Sequence, residues 1–277
     1  MTRTLNLDEM FVPVPFPQIE YELHTFSGGE LHIKLNNNID YKKIKQVIIT
    51  HRVRSMNDFM AILIAKDALE LKGVKRFDLV MPYVPYARQD RKCFDGESFT
   101  LKVFTDILNS QKFDSVHVLD AHSDVAPALI NNCVNHSNED YIEAILEDFE
   151  EPPILISPDA GSNKKANNLA KKFGLYLVKC DKVRDVKTGK LSGFSVFEDN
   201  LYKRDCLIVD DICDGGGTFI GLGKEMKKKN AGNISLFVTH GIFSKGLNIF
   251  NKVFEKIYCT NSFKDIPHPV IQRKITI

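Results

Sequence analysis

Leu207-Ile208-Val209-Asp210-Asp211-Ile212-Cys213-Asp214-Gly215-Gly216-Gly217-Thr218 runs from a short apolar strand signal into acids, then three glycines, then a helical pattern. A strand, a turn and a helix in that order form the unit from which parallel α/β sheets are built. Glycines let successive backbone N–H groups turn toward one point, and the helix that follows adds the positive end of its dipole. The turn can therefore cradle a phosphate group, with Thr218 adding a hydroxyl. Asp210 and Asp211 would repel that phosphate, so they suit sugar hydroxyls or a magnesium ion held through waters. A tight βα turn with helix-capping aspartates explains a bare Asp-plus-glycine turn. It does not explain three acids and three glycines together. A phosphorylated ribose suits the combination.

Short apolar runs alternate with amphipathic helical patterns on both sides of this turn, which predicts an α/β fold. Strands are expected at residues 46–50, 77–82, 115–119, 154–157, 175–178, 206–210, 234–239 and 256–259. Helices are expected near 56–71, 100–110, 141–148, 163–172 and 218–229. Parallel strands bring their carboxyl ends to one sheet edge, where ligands of open α/β sheets bind, so the loops after strands are where chemistry is sought. The acid-rich stretch that leads into Pro152-Pro153 interrupts the pattern and predicts a boundary between two similar halves. The expected domains are 1–148 and 149–277.

A chain of 277 residues, 43% hydrophobic and 26% charged, is long enough for a sizeable core. Its net charge of +1 argues against a nucleic-acid partner. The run Lys227-Lys228-Lys229 reads as a solvated helix face. Cys93, Cys133, Cys180, Cys206, Cys213 and Cys259 contain no CxxC pair and read as reduced thiols of a cytoplasmic protein. The first twenty residues carry acids and prolines in place of a signal-peptide pattern, and no apolar run is long enough to span a bilayer.

The loop around Asp210 to Thr218 is similar to the phosphoribosyl-binding loop shared by phosphoribosyltransferases and ribose-phosphate pyrophosphokinases. Four further segments resemble the pyrophosphokinases specifically. Phe26-Ser27-Gly28-Gly29-Glu30 resembles a hairpin that stacks an aromatic ring on adenine and offers a carboxylate, usually toward a neighbouring subunit's ATP. Pro82-Tyr83-Val84-Pro85-Tyr86-Ala87-Arg88-Gln89-Asp90-Arg91-Lys92 resembles the ATP loop. Its Arg88, Arg91 and Lys92 would meet the triphosphate and Gln89 the base or ribose. His122, in Asp120-Ala121-His122-Ser123-Asp124, matches a histidine that contacts ATP phosphates and metal. Asp159, in Ser157-Pro158-Asp159-Ala160-Gly161, matches a second metal-associated turn, although a helix N-terminal turn is also a full reading of it. Asp181-Lys182-Val183-Arg184 opens a polar stretch to Gly193 that resembles the mobile catalytic loop, with Lys182 and Arg184 as cations over the transferring phosphate.

The resemblance implies two domains of the phosphoribosyltransferase type, each a mainly parallel sheet flanked by helices. It implies that the β,γ-diphosphate of Mg-ATP moves to the anomeric hydroxyl of ribose 5-phosphate with release of AMP. The catalytic residues would be Lys182, Arg184 and His122. ATP would be held by Phe26, Glu30, Arg88, Gln89, Arg91 and Lys92, the acceptor by Asp210, Asp211, Asp214, Gly215, Gly216, Gly217 and Thr218, and magnesium by His122 and Asp159. A homodimer or higher homo-oligomer is implied, with small-molecule substrates and neither nucleic acid nor membrane as partner.

Three departures bear on the acceptor and on assembly. Gly215 stands where the family usually has threonine, which removes a donor and opens space for a phosphodiester acceptor such as ADP-ribose, as NAD salvage would use. Cys93-Phe94-Asp95-Gly96 replaces an acid and basic residues in the ATP loop, loosening adenine contacts. The chain lacks the family's first strand–helix unit in recognisable form and its final helix. Three other readings compete. A phosphoribosyltransferase would need a base-binding hood and leaves residues 88–92 unexplained. A non-catalytic regulatory relative has no chemical reason to keep Lys182, Arg184, His122 and Asp159. A nucleotide sensor would bind ATP without forming AMP.

Overall fold

The computed structural model describes residues 1–184, 191–267 and 269–276. They divide into two compact units, Met1–Ser137 with Lys274–Ile277, and Asn138–Arg273. This division falls ahead of the acid-rich stretch at residues 147–153, because the helix before that stretch packs with the second unit.

The first unit runs β1 (Thr2–Asn6), β2 (Tyr21–Thr25), β3 (Leu31–Leu35), β4 (Gln46–Thr50), α1 (Met56–Leu71), β5 (Phe77–Val80), α2 (Thr100–Ser110), β6 (Ser115–Leu119), α3 (Val125–Leu129) and β7 (Cys133–His136). Its main sheet has the order β1-β4-β5-β6-β7, parallel throughout, and β2 pairs with β3 as a separate antiparallel hairpin. Alternation sends Val47, Ile49, Leu79, Val116 and Val118 into a core with Ile62, Leu69 and Leu108 of the helices. α1 starts where it does because Ser55 and Asp58 form a capping box, each side chain taking the other's backbone N–H.

The second unit runs α4 (Glu139–Leu146), β8 (Ile154–Ser157), α5 (Asn163–Phe173), β9 (Leu177–Arg184), β10 (Leu191–Val196), β11 (Cys206–Cys213), α6 (Gly217–Lys228), β12 (Ile234–Gly241), β13 (Lys256–Thr260) and β14 (Val270–Arg273). Its sheet has the order β10-β9-β8-β11-β12-β13-β14, parallel except for the β9–β10 pair. Both faces are covered. Ile208, Leu236 and Cys259 meet Leu222 and Met226 of α6 on one face, while Leu207, Phe237 and Tyr258 meet Ile142 and Leu169 on the other. Every residue of β12 is buried accordingly, as a doubly covered strand requires.

Several expectations need correction. The start of the chain does carry a strand, β1, pairing in parallel with β4, although the hairpin β2–β3 follows it and not a helix. β5 ends at Val80, ahead of Pro82, which cannot donate to a ladder. β11 and β12 pair as far as Cys213 and Gly241, so Asp210 and Asp211 lie within the strand and not after it. The stretch expected to be a mobile loop from Asp181 begins as the end of β9, because β10 pairs with it through Lys182 and Phe194. The lysines at 227–229 behave as a solvated face: Lys228 meets Glu225, Lys229 meets Asp199, and Lys227 caps the Gly232 carbonyl. All six cysteines are free. No helix among the described residues is long and apolar enough to cross a membrane.

Candidate active site

In the second unit, chain order reverses between β8 and β11. β8 is followed by β9 on one side, and β11 by β12 on the other. The connections leaving the two strands therefore diverge and open a crevice at their carboxyl ends, the place where open α/β sheets bind ligands. β8 and β11 pair only through Ile154, Leu155 and Ile156, so β11 runs on beyond its neighbour and carries Asp210 and Asp211 to this edge.

The turn after β8 fixes Asp159. The Ser157 and Ser162 hydroxyls lie 2.7 Å apart and buried, Ser162 N–H donates to Asp159 Oδ1 at 3.2 Å, and the Ser162 hydroxyl donates to the Asp159 carbonyl at 2.9 Å. Asp159 thus serves the start of α5 with one oxygen. Its other oxygen accepts from Lys182 Nζ at 2.6 Å. The helix-turn reading of this aspartate is what these bonds show, and one of its oxygens is turned to Lys182 instead. Lys182 reaches it from β9, and this ion pair is about a quarter exposed on each side, 27% and 23%.

Asp210 accepts from the Asp211 backbone N–H at 3.0 Å. Desolvation first, then the negative charges of Asp211 and Asp159, push its carboxyl well above the ordinary carboxylate range. The folded state thus binds this proton more tightly than the unfolded chain. Its contribution to stability is full below the ordinary carboxylate pKa and lost as pH rises through the raised one. Asp210→Asn removes that penalty. It is expected to raise Tm near neutral pH by about 2–4 °C per kcal/mol recovered and to flatten the dependence of Tm on pH. An unchanged Tm–pH profile in calorimetric scans would show that Asp210 is not held protonated by its neighbours.

After buried Cys213 the chain turns through Gly216, at φ 72, into α6, whose N-terminus has no side-chain cap. A glycine at the N-cap supplies no side chain to the first N–H groups of the helix, the kind of terminus at which anions bind. Gly216 is required twice over. Its φ is left-handed, and a Cβ there would lie 2.3 Å from the Phe250 ring. The connection after β12 clamps the turn from outside, with Ile242 and Phe243 N–H donating to the Cys213 carbonyl and Ser244 N–H to the Asp214 carbonyl, at 2.9, 3.1 and 3.0 Å. Asp159, Lys182, Asp210, Asp211 and the turn from Asp214 to Thr218 are therefore gathered at one sheet edge. Arg184 closes β9, and its side chain, with residues 185–190, lies outside the described part of the structure.

In the first unit the segment from Pro82 and the end of β6 come together at Asp90. Arg91 donates to it from Nε at 2.7 Å and from Nη2 at 3.0 Å, and Ser123 and His122 face the same carboxylate. The Arg91 hydrogen bonds, against some desolvation, with Ser123 and the charges of Arg91 and His122, lower its pKa to about 2. This side-on fork uses two of the five guanidinium donors and leaves the rest for an anion. Arg88, Gln89, Arg91, Lys92 and His122 are all exposed on this surface. Asp90 organises it, a role its sequence position alone does not suggest. Its one visible signal is an acid between Arg88 and Arg91. Beyond Lys92, Glu97 caps the Cys93 and Phe94 N–H groups, and Phe94 is 74% exposed.

At the tip of the β2–β3 hairpin, Gly29 takes φ 92, and Phe26 N–H donates to the Glu30 carbonyl at 2.9 Å. The Phe26 ring is 51% exposed and braced edge-on by His24, 4.9 Å away. It offers a flat apolar face of the kind on which a base can stack.

The model for the N-terminal domain of ribose phosphate pyrophosphokinase matches residues 10–111, and the phosphoribosyl transferase domain model matches residues 132–269. A ribose-phosphate pyrophosphokinase of Mycoplasmopsis pulmonis is 30% identical over 257 residues, covering 88% of this chain and 78% of the relative. The one from Aquifex aeolicus is 30% identical over 260 residues, covering 90% and 79%. The chain belongs to the ribose-phosphate pyrophosphokinase family. Membership makes it a transferase. The fold agrees with a crystal structure of phosphoribosylpyrophosphate synthetase from Mycobacterium smegmatis, at a TM-score of 0.78 and 21% identity over 95% of this chain and 87% of that one. The match to a pyrophosphokinase N-terminal domain disposes of the simple phosphoribosyltransferase reading, which has no use for that half.

Proposed function

We propose that this ribose-phosphate pyrophosphokinase moves the β,γ-diphosphate of Mg-ATP to the anomeric hydroxyl of ribose 5-phosphate and releases AMP. The observation that carries the reading is the set of Asp159, Lys182, Asp210 and Asp211 beside an uncapped glycine turn at the switch point of the second sheet. An uncapped helix N-terminus suits a phosphate, and adjacent carboxylates suit vicinal ribose hydroxyls. The relatives from Mycoplasmopsis pulmonis and Aquifex aeolicus are named for ribose phosphate, which favours it over ADP-ribose as acceptor.

On this reading Asp210 and Asp211 orient the sugar, while Gly215, Gly216, Gly217 and Thr218 with Asp214 seat its 5-phosphate. Lys182 and Arg184 oppose charge developing on the transferring phosphoryl oxygens. Phe26 and Glu30, together with Arg88, Gln89, Arg91, Lys92 and His122, hold ATP, the hairpin serving a second copy of the chain in a homo-oligomer. No protein nucleophile is needed, since phosphoryl transfer of this kind is catalysed by positioning and electrostatics.

Magnesium fits the donors present. Asp159, Asp210 and Asp211 offer hard oxygens, and the crowding that raises the Asp210 carboxyl is what a divalent cation would relieve. Among the described residues no group of three or more side chains forms a protein cage for a metal. When bound, magnesium neutralises charge on the ATP phosphates.

The test is AMP release from Mg-ATP by purified protein with ribose 5-phosphate, with ADP-ribose and with no acceptor. AMP is expected with ribose 5-phosphate alone. A preference for ADP-ribose would replace the acceptor, and no AMP with either would leave the regulatory reading.

A further inference from the structure

Glycine at position 215 leaves the phosphate turn without a side chain there, but the room is not empty. A Cβ built at Gly215 would lie 3.4 Å from Lys245 Cε, 3.5 Å from Cδ and 3.8 Å from Cγ. The aliphatic stem of Lys245, from the connection between β12 and β13, therefore lies alongside the turn, within van der Waals contact of the position a Cβ at 215 would take. Its place is set by the backbone. Ser244 N–H is bonded to the Asp214 carbonyl at 3.0 Å, and Gly246, at φ 75, turns the chain away immediately afterwards. The residue is exposed, and its ammonium lies one bond beyond Cε, within reach of the turn.

Charge gives this placement a purpose. The side chains around the mouth include Asp210, Asp211 and Asp214, all acidic, and the turn itself offers an anion only backbone N–H groups and the Thr218 hydroxyl. A phosphate monoester carries nearly two negative charges near neutral pH. Lys245 is the cation laid against the turn that could balance them.

We propose that Lys245 determines acceptor specificity: its stem flanks the turn at Gly215, and its ammonium is the counter-charge for the terminal 5-phosphate. The proposal rests on the reading of this turn as the acceptor site. Substituting for a missing donor from a different loop, it selects a free phosphate monoester over an unphosphorylated sugar.

The experiment titrates ribose 5-phosphate into the full-length protein by calorimetry, and pairs it with steady-state kinetics in which acceptor and ATP are varied separately. Lys245→Met keeps the stem and removes the charge. It is expected to weaken ribose 5-phosphate binding and raise its KM about tenfold, as for loss of one exposed charge-assisted contact. kcat and the KM for ATP should stay within about twofold on the same basis, and Lys245→Arg should restore the wild-type KM. The preference for ribose 5-phosphate over ribose, as a ratio of kcat/KM, should shrink by a similar factor. A Met variant that binds and uses ribose 5-phosphate like the active wild type overturns the role of Lys245 and leaves the reaction standing. A wild type that binds no ribose 5-phosphate overturns the acceptor site itself, and this proposal with it.

Discussion

Lys182→Ala is expected to lower kcat for AMP formation by roughly 10²–10³-fold, the usual cost of removing one preorganised group that opposes charge in a transition state. The KM values should move little, because the effect falls on the reacting phosphoryl group and not on the ground-state complex. Stability should hardly change. The Lys182–Asp159 pair is partly exposed, and such pairs are worth at most about 1 kcal/mol. Steady-state assays beside thermal melts separate the two quantities. A variant that melts early and loses activity in proportion would make Lys182 a structural strut, and one with wild-type kcat would remove it from the chemistry.

The second large effect is expected at Gly216. Alanine there must hold a left-handed φ, at a cost of about 1–2 kcal/mol. Its Cβ would also have to clear the Phe250 ring, which lies 2.3 Å from the built position and is fully buried. Overpacking of this kind costs about 1–3 kcal/mol more. Tm should fall by roughly 5–15 °C, taking about 2–4 °C per kcal/mol for a chain of this size. Misplacement of the turn by even about 1 Å should cost about a hundredfold in kcat/KM for ribose 5-phosphate. Gly217 is the comparator for the melt, since a Cβ there meets nothing within 4 Å, and alanine at that position should not lower Tm. Equal melting of the two variants would mean that the ring contact does not fix the turn.

The sequence was most legible where a segment is buried on both sides or closed by a cap. β4, β6, β8, α1 and α2 have the bounds that apolar period and flanking residues predict. The strands that went unread, β1, β7, β10 and β14, are the outer strands of the two main sheets. An outer strand has one paired neighbour, so residues such as Thr2-Arg3 in β1 or Gln272-Arg273 in β14 are tolerated and the apolar signal fades. The site shows the same limit. The glycine turn and its aspartates were visible because their chemistry is local, and the same turn marked Gly215 as unusual. Asp90 and Lys245 owe their places to packing between distant segments, so the sequence did not reveal that Lys245 lies against the turn beside Gly215.

The proposed acceptor cluster draws on residues 157–162, on Lys182, on residues 210–218 and on the clamp at 242–245, and parallel pairing of β8, β9, β11 and β12 is what makes them neighbours. Parallel pairing joins stretches far apart along the chain, and such topologies assemble slowly because loop closure precedes the contacts that reward it. The binding turn therefore exists only once the second unit has finished folding. Ribose 5-phosphate would recognise the completed unit and ignore the open chain, adding by mass action about 2.7 kcal/mol at a hundred times its dissociation constant. On the proposed reading the sugar phosphate therefore guards the fold that binds it, and limited proteolysis of the purified protein is expected to slow as ribose 5-phosphate is added.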